Sequence, residues 1–154
     1  MIRTNKHGFT LVEILIVVVI LGILAAIVIP QFSNASQEAS VNRIRADLQT
    51  MRSQIELYKI QHLGNAPTDN TTFETQMTTQ TAIGGGAGTD FGPYLQSVPV
   101  NAFTNTNTVV AADPGDGSAG WVYTVVGGTL ATIQACNSAN YVPAAGQPAT
   151  LAEF

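Results

Sequence analysis

Charge is scarce in this 154-residue chain. Lys and Arg number 6, Asp and Glu 10, and together they make up 10% of it, against about 25% in an ordinary globular protein. The net charge of −4 argues against a nucleic-acid partner, which needs clustered cations to displace counterions from phosphate. A single cysteine, Cys136, cannot close a disulfide within the chain or build a zinc site by itself. Two histidines, His7 and His62, stand at no recognisable motif spacing from a Ser, Cys or acid partner. Gly84-Gly85-Gly86 lacks the Lys-Ser/Thr of a phosphate loop. No enzyme is expected. A hydrophobic share of 45% with so few charges also excludes a disordered acidic chain.

The apolar residues are concentrated. Ile14–Ile29 (ILIVVVILGILAAIVI) contains no polar side chain, and from Phe9 to Ile29 the only charge is Glu13. That length suffices for a bilayer core of roughly 30 Å, and a helix apolar on every side has no use in so small a soluble domain. Arg3 and Lys6 precede it, so the N-terminus is expected in the cytoplasm and the rest of the chain beyond the membrane. The run is too long for an ordinary secretory signal, and no A-x-A site follows it closely. Pro30 removes a backbone donor, and Gly22 lowers helix propensity by about 1 kcal/mol relative to Ala. A kink or local opening is expected at Pro30. Either both residues are tolerated, or the Gly22–Pro30 segment unwinds when the chain leaves lipid; the sequence leaves both readings open.

Beyond Pro30 the pattern changes. Val41, Ile44, Leu48, Met51, Ile55 and Tyr58 recur at spacings of three and four, with His62 extending the series. This is a heptad-like stripe on an amphipathic helix. Arg45, Arg52 and Lys59 form a second stripe beside it. The helix is expected to end near Leu63, with Gly64 in the left-handed cap and Pro67 soon after. From residue 60 onward there is no Lys or Arg, but six acids: Asp69, Glu74, Asp90, Asp113, Asp116 and Glu153. Acidic heads of neighbouring copies are therefore expected to dock on a basic stem.

In the remainder, residues 68–81 hold seven threonines and, with Gly84–Gly88, read as exposed loop. Trp121–Val126 and Thr129–Ala135 are β-branched runs around Gly127-Gly128, a hairpin signal. Further strands are expected over Tyr94–Val100 and Thr108–Ala112. Cys136 reads as a small buried hydrophobe of the last strand. The fold class expected is α+β: a long N-terminal helix, membrane-spanning in its first half, packed by its second half on a small antiparallel sheet.

The segment KHGFTLVEILIVVVILGILAAIVIPQF, from Lys6 to Phe32, resembles the start of type IV prepilins and type II secretion pseudopilins through its G-F-T-L-x-E motif and apolar run. The resemblance implies a leader over residues 1–8, a transmembrane and assembly half of the helix over 9–30, an amphipathic half over 31–64 and a periplasmic or extracellular head over 65–154. It implies cleavage between Gly8 and Phe9 by a prepilin peptidase, N-methylation of Phe9, and use of Glu13 in assembly, with Gly22 and Pro30 in the same assembly half. Removal of Arg3 and Lys6 takes the net charge from −4 to −6. The partners implied are further copies in a homo-oligomeric filament, minor pilins or pseudopilins, and an inner-membrane assembly platform with its ATPase. The location implied is the bacterial inner membrane, then a periplasmic pseudopilus or a cell-surface pilus. A lone Cys136 cannot form the C-terminal disulfide of many type IV pilins, and GPYLQSVPVNAF (Gly92–Phe103) resembles the segment before the sheet in major pseudopilins. The expectation therefore leans to a pseudopilus subunit, with a type IV major pilin as the alternative and a plain single-pass anchor as a remote one. Major pseudopilins often bind calcium in a head loop; the candidates here are Asp113 and Asp116 in ADPGDGSAG (Ala112–Gly120).

Overall fold

A computed structural model describes residues 8–137 and 150–151. The chain divides into two compact units, Met1–Glu38 and Ala39–Phe154. Helix α1, Leu11–Gln61, runs from the first into the second. Its helical backbone continues without interruption across Gly22 and Pro30, so the local opening expected at Pro30 is absent from this conformation. Proline costs α1 one backbone donor, and the remaining ladder holds the turn.

The first unit contributes exposed apolar surface: every side chain described between Leu11 and Ile29 is open. The second contains the core. The expected stripe is buried in full, with Ile44 and Met51 at 0% exposure and His62 at 1%. It packs against Trp121, Tyr123, Ile133 and Ala135 of the sheet and against Phe73 and Met77. α1 ends two residues short of the expected Leu63, because Leu63 itself turns left-handed (φ 58°) ahead of Gly64 (φ 87°). The Gly64 amide then donates to the Lys59 carbonyl at 2.8 Å, closing the last turn.

The Thr-rich segment is not an exposed loop. Asn70–Thr78 forms helix α2. Asp69 caps it, Oδ1 accepting from the Thr71 and Thr72 amides at 2.9 Å each. Phe73, Gln76 and Met77 face inward at helical spacing, and that burial outweighs the modest propensity of threonine. Gln76 donates to the Gly85 carbonyl (2.8 Å) and accepts from the Thr68 amide (2.8 Å), tying three segments together.

The sheet has three strands: β1 (Val109–Val110), β2 (Trp121–Val126) and β3 (Leu130–Ala135), in spatial order β1-β2-β3. β2 and β3 form the expected antiparallel hairpin, Val126 opposite Leu130, with Gly127 (φ 62°) and Gly128 (φ 73°) in its turn. The all-antiparallel expectation needs correction at the other edge, where β1 pairs with β2 in parallel. The cause lies in residues 111–120, which reverse direction more than once. Asp113 accepts from the Gly115 amide and Asp116 from the Ser118 amide, with Gly115 and Gly117 left-handed between them. Tyr94–Val100 is likewise no strand: Tyr94, Leu95 and Val98 are buried, but the backbone between a cis Gly92–Pro93 bond and Pro99 runs irregularly. Proline removes ladder donors at both ends of this stretch. Cys136 is buried at 1% exposure, just past β3.

Candidate assembly segment

Gly8 and Phe9 lie ahead of α1, and Phe9 is 83% exposed. Arg3 and Lys6 fall outside the described residues. Thr10 precedes the helix and Glu13 closes its first turn, making a reciprocal capping box. The Thr10 amide and hydroxyl both donate to Glu13 Oε2, at 2.9 and 2.8 Å, and the Glu13 amide donates back to Thr10 Oγ1 at 3.2 Å. The family resemblance gives Glu13 an assembly role and does not include this cap, although T-L-V-E carries the S/T-x-x-E spacing that announces it. In a helix that starts within a membrane, such a cap also satisfies amides that no water could reach.

Leu11–Ile29 is long and apolar enough to cross a membrane, and none of it is buried within the chain. Gly22 stands on this stretch with open space where a Cβ would go. Pro30 follows immediately in the same continuous helix.

The cations of the second half of α1 are engaged locally. Arg43 Nε lies 3.7 Å from Asp47 Oδ2, and Lys59 Nζ lies 2.9 Å from Glu56 Oε1. Arg52 Nη2 donates to the Ile133 carbonyl of β3 at 3.2 Å. Burial raises the Asp47 carboxyl above its usual range, against the opposing pull of Arg43.

His62 is structural in this setting. Nδ1 lies 2.8 Å from the Tyr58 carbonyl, which only accepts, so in the neutral ring Nδ1 carries the proton. Nε2, 3.0 Å from Thr81 Oγ1, then accepts from that hydroxyl. The ring stacks on Tyr58 at 3.7 Å and meets Phe91 and Tyr94 edge-on.

The calcium candidates fit a cation site poorly. Asp113 spends Oδ1 on the Gly115 amide and Oδ2 on the Asn137 amide at 2.8 Å, while Asp116 Oδ1 takes the Ser118 amide. Among the described residues no group of three or more His, Cys, Asp or Glu side chains gathers around a common point, and calcium takes six to eight oxygens.

An exposed apolar helix with a capped, acid-bearing start, continued into an α+β unit, is the plan expected of a pilin-like protein. Comparison with known proteins agrees. The family described as the prokaryotic N-terminal methylation motif matches residues 3–29. The chain is 43% identical over 58 residues to type II secretion system core protein G of Pseudomonas aeruginosa, covering 38% of this chain and 41% of that one. It is 46% identical over 54 residues to type IV major fimbrial protein FimA of Dichelobacter nodosus, covering 35% of each. A longer match, 27% identical over 112 residues, covers 73% of this chain and 75% of the Escherichia coli type II secretion system core protein G. The matched region thus spans about two fifths of the first of these relatives. No solved structure matches the chain. Residues 3–29 carry the N-terminal methylation motif, and the similarity to type II secretion and type IV fimbrial proteins supports the pilin and pseudopilin superfamily.

Proposed function

We propose that this chain is a structural subunit of a pilus-like helical filament, with no catalytic role of its own. A membrane prepilin peptidase cuts it between Gly8 and Phe9, Phe9 is N-methylated, and the subunit polymerises through α1 with the help of an inner-membrane platform, its ATPase and minor subunits. Before assembly it sits in the bacterial inner membrane. The observation that carries this reading is a fully exposed apolar helix, Leu11–Ile29, whose only charge is Glu13 in its first turn. An ionised carboxylate in hydrocarbon costs about 3 kcal/mol even on the lenient insertion scale. Cleavage after Gly8 creates an ammonium on Phe9, next to the Thr10 that holds Glu13, and that cation offsets the cost in its own chain or a neighbour's. In that scheme Gly22 and Pro30 allow the helix to open on leaving lipid.

Glu13→Ala and Glu13→Gln test this. Both variants should still be processed, and both should fail to form filaments. Normal filaments from the alanine variant would contradict the role given to Glu13.

The reading leans to a pseudopilus that drives protein export: the lone Cys136 leaves no C-terminal disulfide, and the relatives in Pseudomonas aeruginosa and Escherichia coli carry the type II secretion name. A surface type IV pilus is the second reading, favoured by the fimbrial relative in Dichelobacter nodosus. Shearing separates them: the subunit should stay with membranes in the first case and leave with sheared filaments in the second. Calcium at Asp113 and Asp116 has less support, given the hydrogen bonds already made there. A calcium titration that leaves thermal stability unchanged would remove it.

A further inference from the structure

β3 is an outer strand of the described sheet. Between it and the second half of α1 lies a groove of about 330 Å³, lined by Arg52, Ile55, Glu56 and residues 131–134. Arg52 is exposed, and its bond to the Ile133 carbonyl fixes the guanidinium at the groove. Two turns further along, Lys59 is held by Glu56, a lining residue. Arg45, seven residues before Arg52, continues the same face.

Further acids, able to meet this face from a second copy, lie elsewhere on the same unit. Asp113 and Asp116 sit in a run, residues 111–116, that is exposed throughout. Turn bonds to Gly115, Asn137 and Ser118 fix both carboxylates in place. Charges already fixed on both sides lose less conformational entropy on pairing. Glu74 on α2 and Asp90 near Phe91 each offer a single charge.

The Asp113–Asn137 bond fastens the acidic loop at the end of the sheet where β2 begins, whereas the groove flanks the length of β3. Groove and loop are therefore different patches of one chain. A contact between two unlike patches is heterologous, and where its rotation does not close into a ring its repetition builds an open helical array.

We propose that the groove beside β3 receives the Asp113–Asp116 loop of a second copy of this chain. The proposal rests on the filament reading and supplies it with a head-to-stem contact. It is tested by zero-length carbodiimide cross-linking of filaments assembled from mixed light and heavy-isotope subunits. Lys6 and Lys59 are the only lysines in the sequence, and Lys6 lies in the leader. Light–heavy peptides joining Lys59 to Asp113 or Asp116 are expected. Filaments in which Lys59 joins other acids, or only Glu56 of its own chain, overturn the proposal and leave the filament reading standing. A chain that makes no filaments overturns both. As a second measurement, Asp116→Arg should lower filament yield about tenfold, and reversal of the groove cation in the same chain, Arg52→Glu, should restore much of it. An Asp116→Arg chain with unchanged yield overturns the contact.

Discussion

Thr10 and Glu13 satisfy each other across the first turn of α1: Thr10 donates its amide and hydroxyl to one carboxylate oxygen, and the Glu13 amide returns a bond to the hydroxyl. The residue on which assembly is proposed to depend is also the residue that starts the helix. Glu13 is thereby held at the N-terminal end of the span, where the helix dipole favours negative charge.

Thr10→Ala removes this cap, at a cost of about 1 kcal/mol. In detergent micelles the amides of the first turn of α1 should exchange roughly fivefold faster, while Thr10→Ser should behave like the parent. Unchanged exchange in the alanine variant would show that the cap contributes nothing.

Asn101 is fully buried and joins three segments of the second unit. Its amide nitrogen donates to the Gly120 and Cys136 carbonyls at 2.8 and 3.3 Å, and its oxygen accepts from the Phe103 amide at 2.9 Å. Asn101→Ala leaves those groups buried and unsatisfied, and should cost roughly 3 kcal/mol in denaturant unfolding of the full chain in detergent. Asn101→Asp should cost as much, because a carboxylate cannot donate to the two carbonyls. A change below about 0.5 kcal/mol would place Asn101 among ordinary surface substitutions.

Asp69 caps α2, and hydrogen bonds from Thr71 and Thr72 hold its carboxyl below the usual range. A carboxyl lowered in the folded state stabilises the fold above its unfolded pKa, near 3.9, and that stabilisation is lost as pH falls through the folded value. Asp116, lowered by Ser118, acts in the same direction. The denaturation midpoint should be flat above about pH 5 and fall below about pH 4. Asp69→Asn should flatten part of that acid limb. An unaltered limb in the variant would assign the acid sensitivity elsewhere.

Burial pushes the Cys136 thiol up to about 12, with Asp113 adding to the effect. The thiolate, not the thiol, is alkylated. At pH 8 the folded chain should react with iodoacetamide roughly a thousandfold more slowly than the unfolded chain. Equal rates would mean that the thiol is open to solvent.

The buried face of α1 was legible because it is periodic: one long apolar stripe on a helix can face only one core, and Val41 to His62 do so. Gly127-Gly128 announced the hairpin for a similar reason, since a turn that needs two left-handed residues selects them. Helix α2 was hidden by seven threonines whose propensities say loop, and its signals were Asp69 at the cap with Phe73, Gln76 and Met77 at helical spacing behind it. The parallel β1–β2 pair was beyond reach, because its direction is set by the successive reversals of residues 111–120. At the assembly segment, the span and Glu13 were plain in the sequence. The capping box was equally present in T-L-V-E, but a membrane reading draws attention to charge before hydrogen bonds.

The most direct measurement is the mass and N-terminus of the protein recovered from its native host, in membrane and sheared fractions. The account predicts a chain that begins at N-methylated Phe9 in whichever fraction holds the filaments. A chain that still begins at Met1 in both fractions would contradict it.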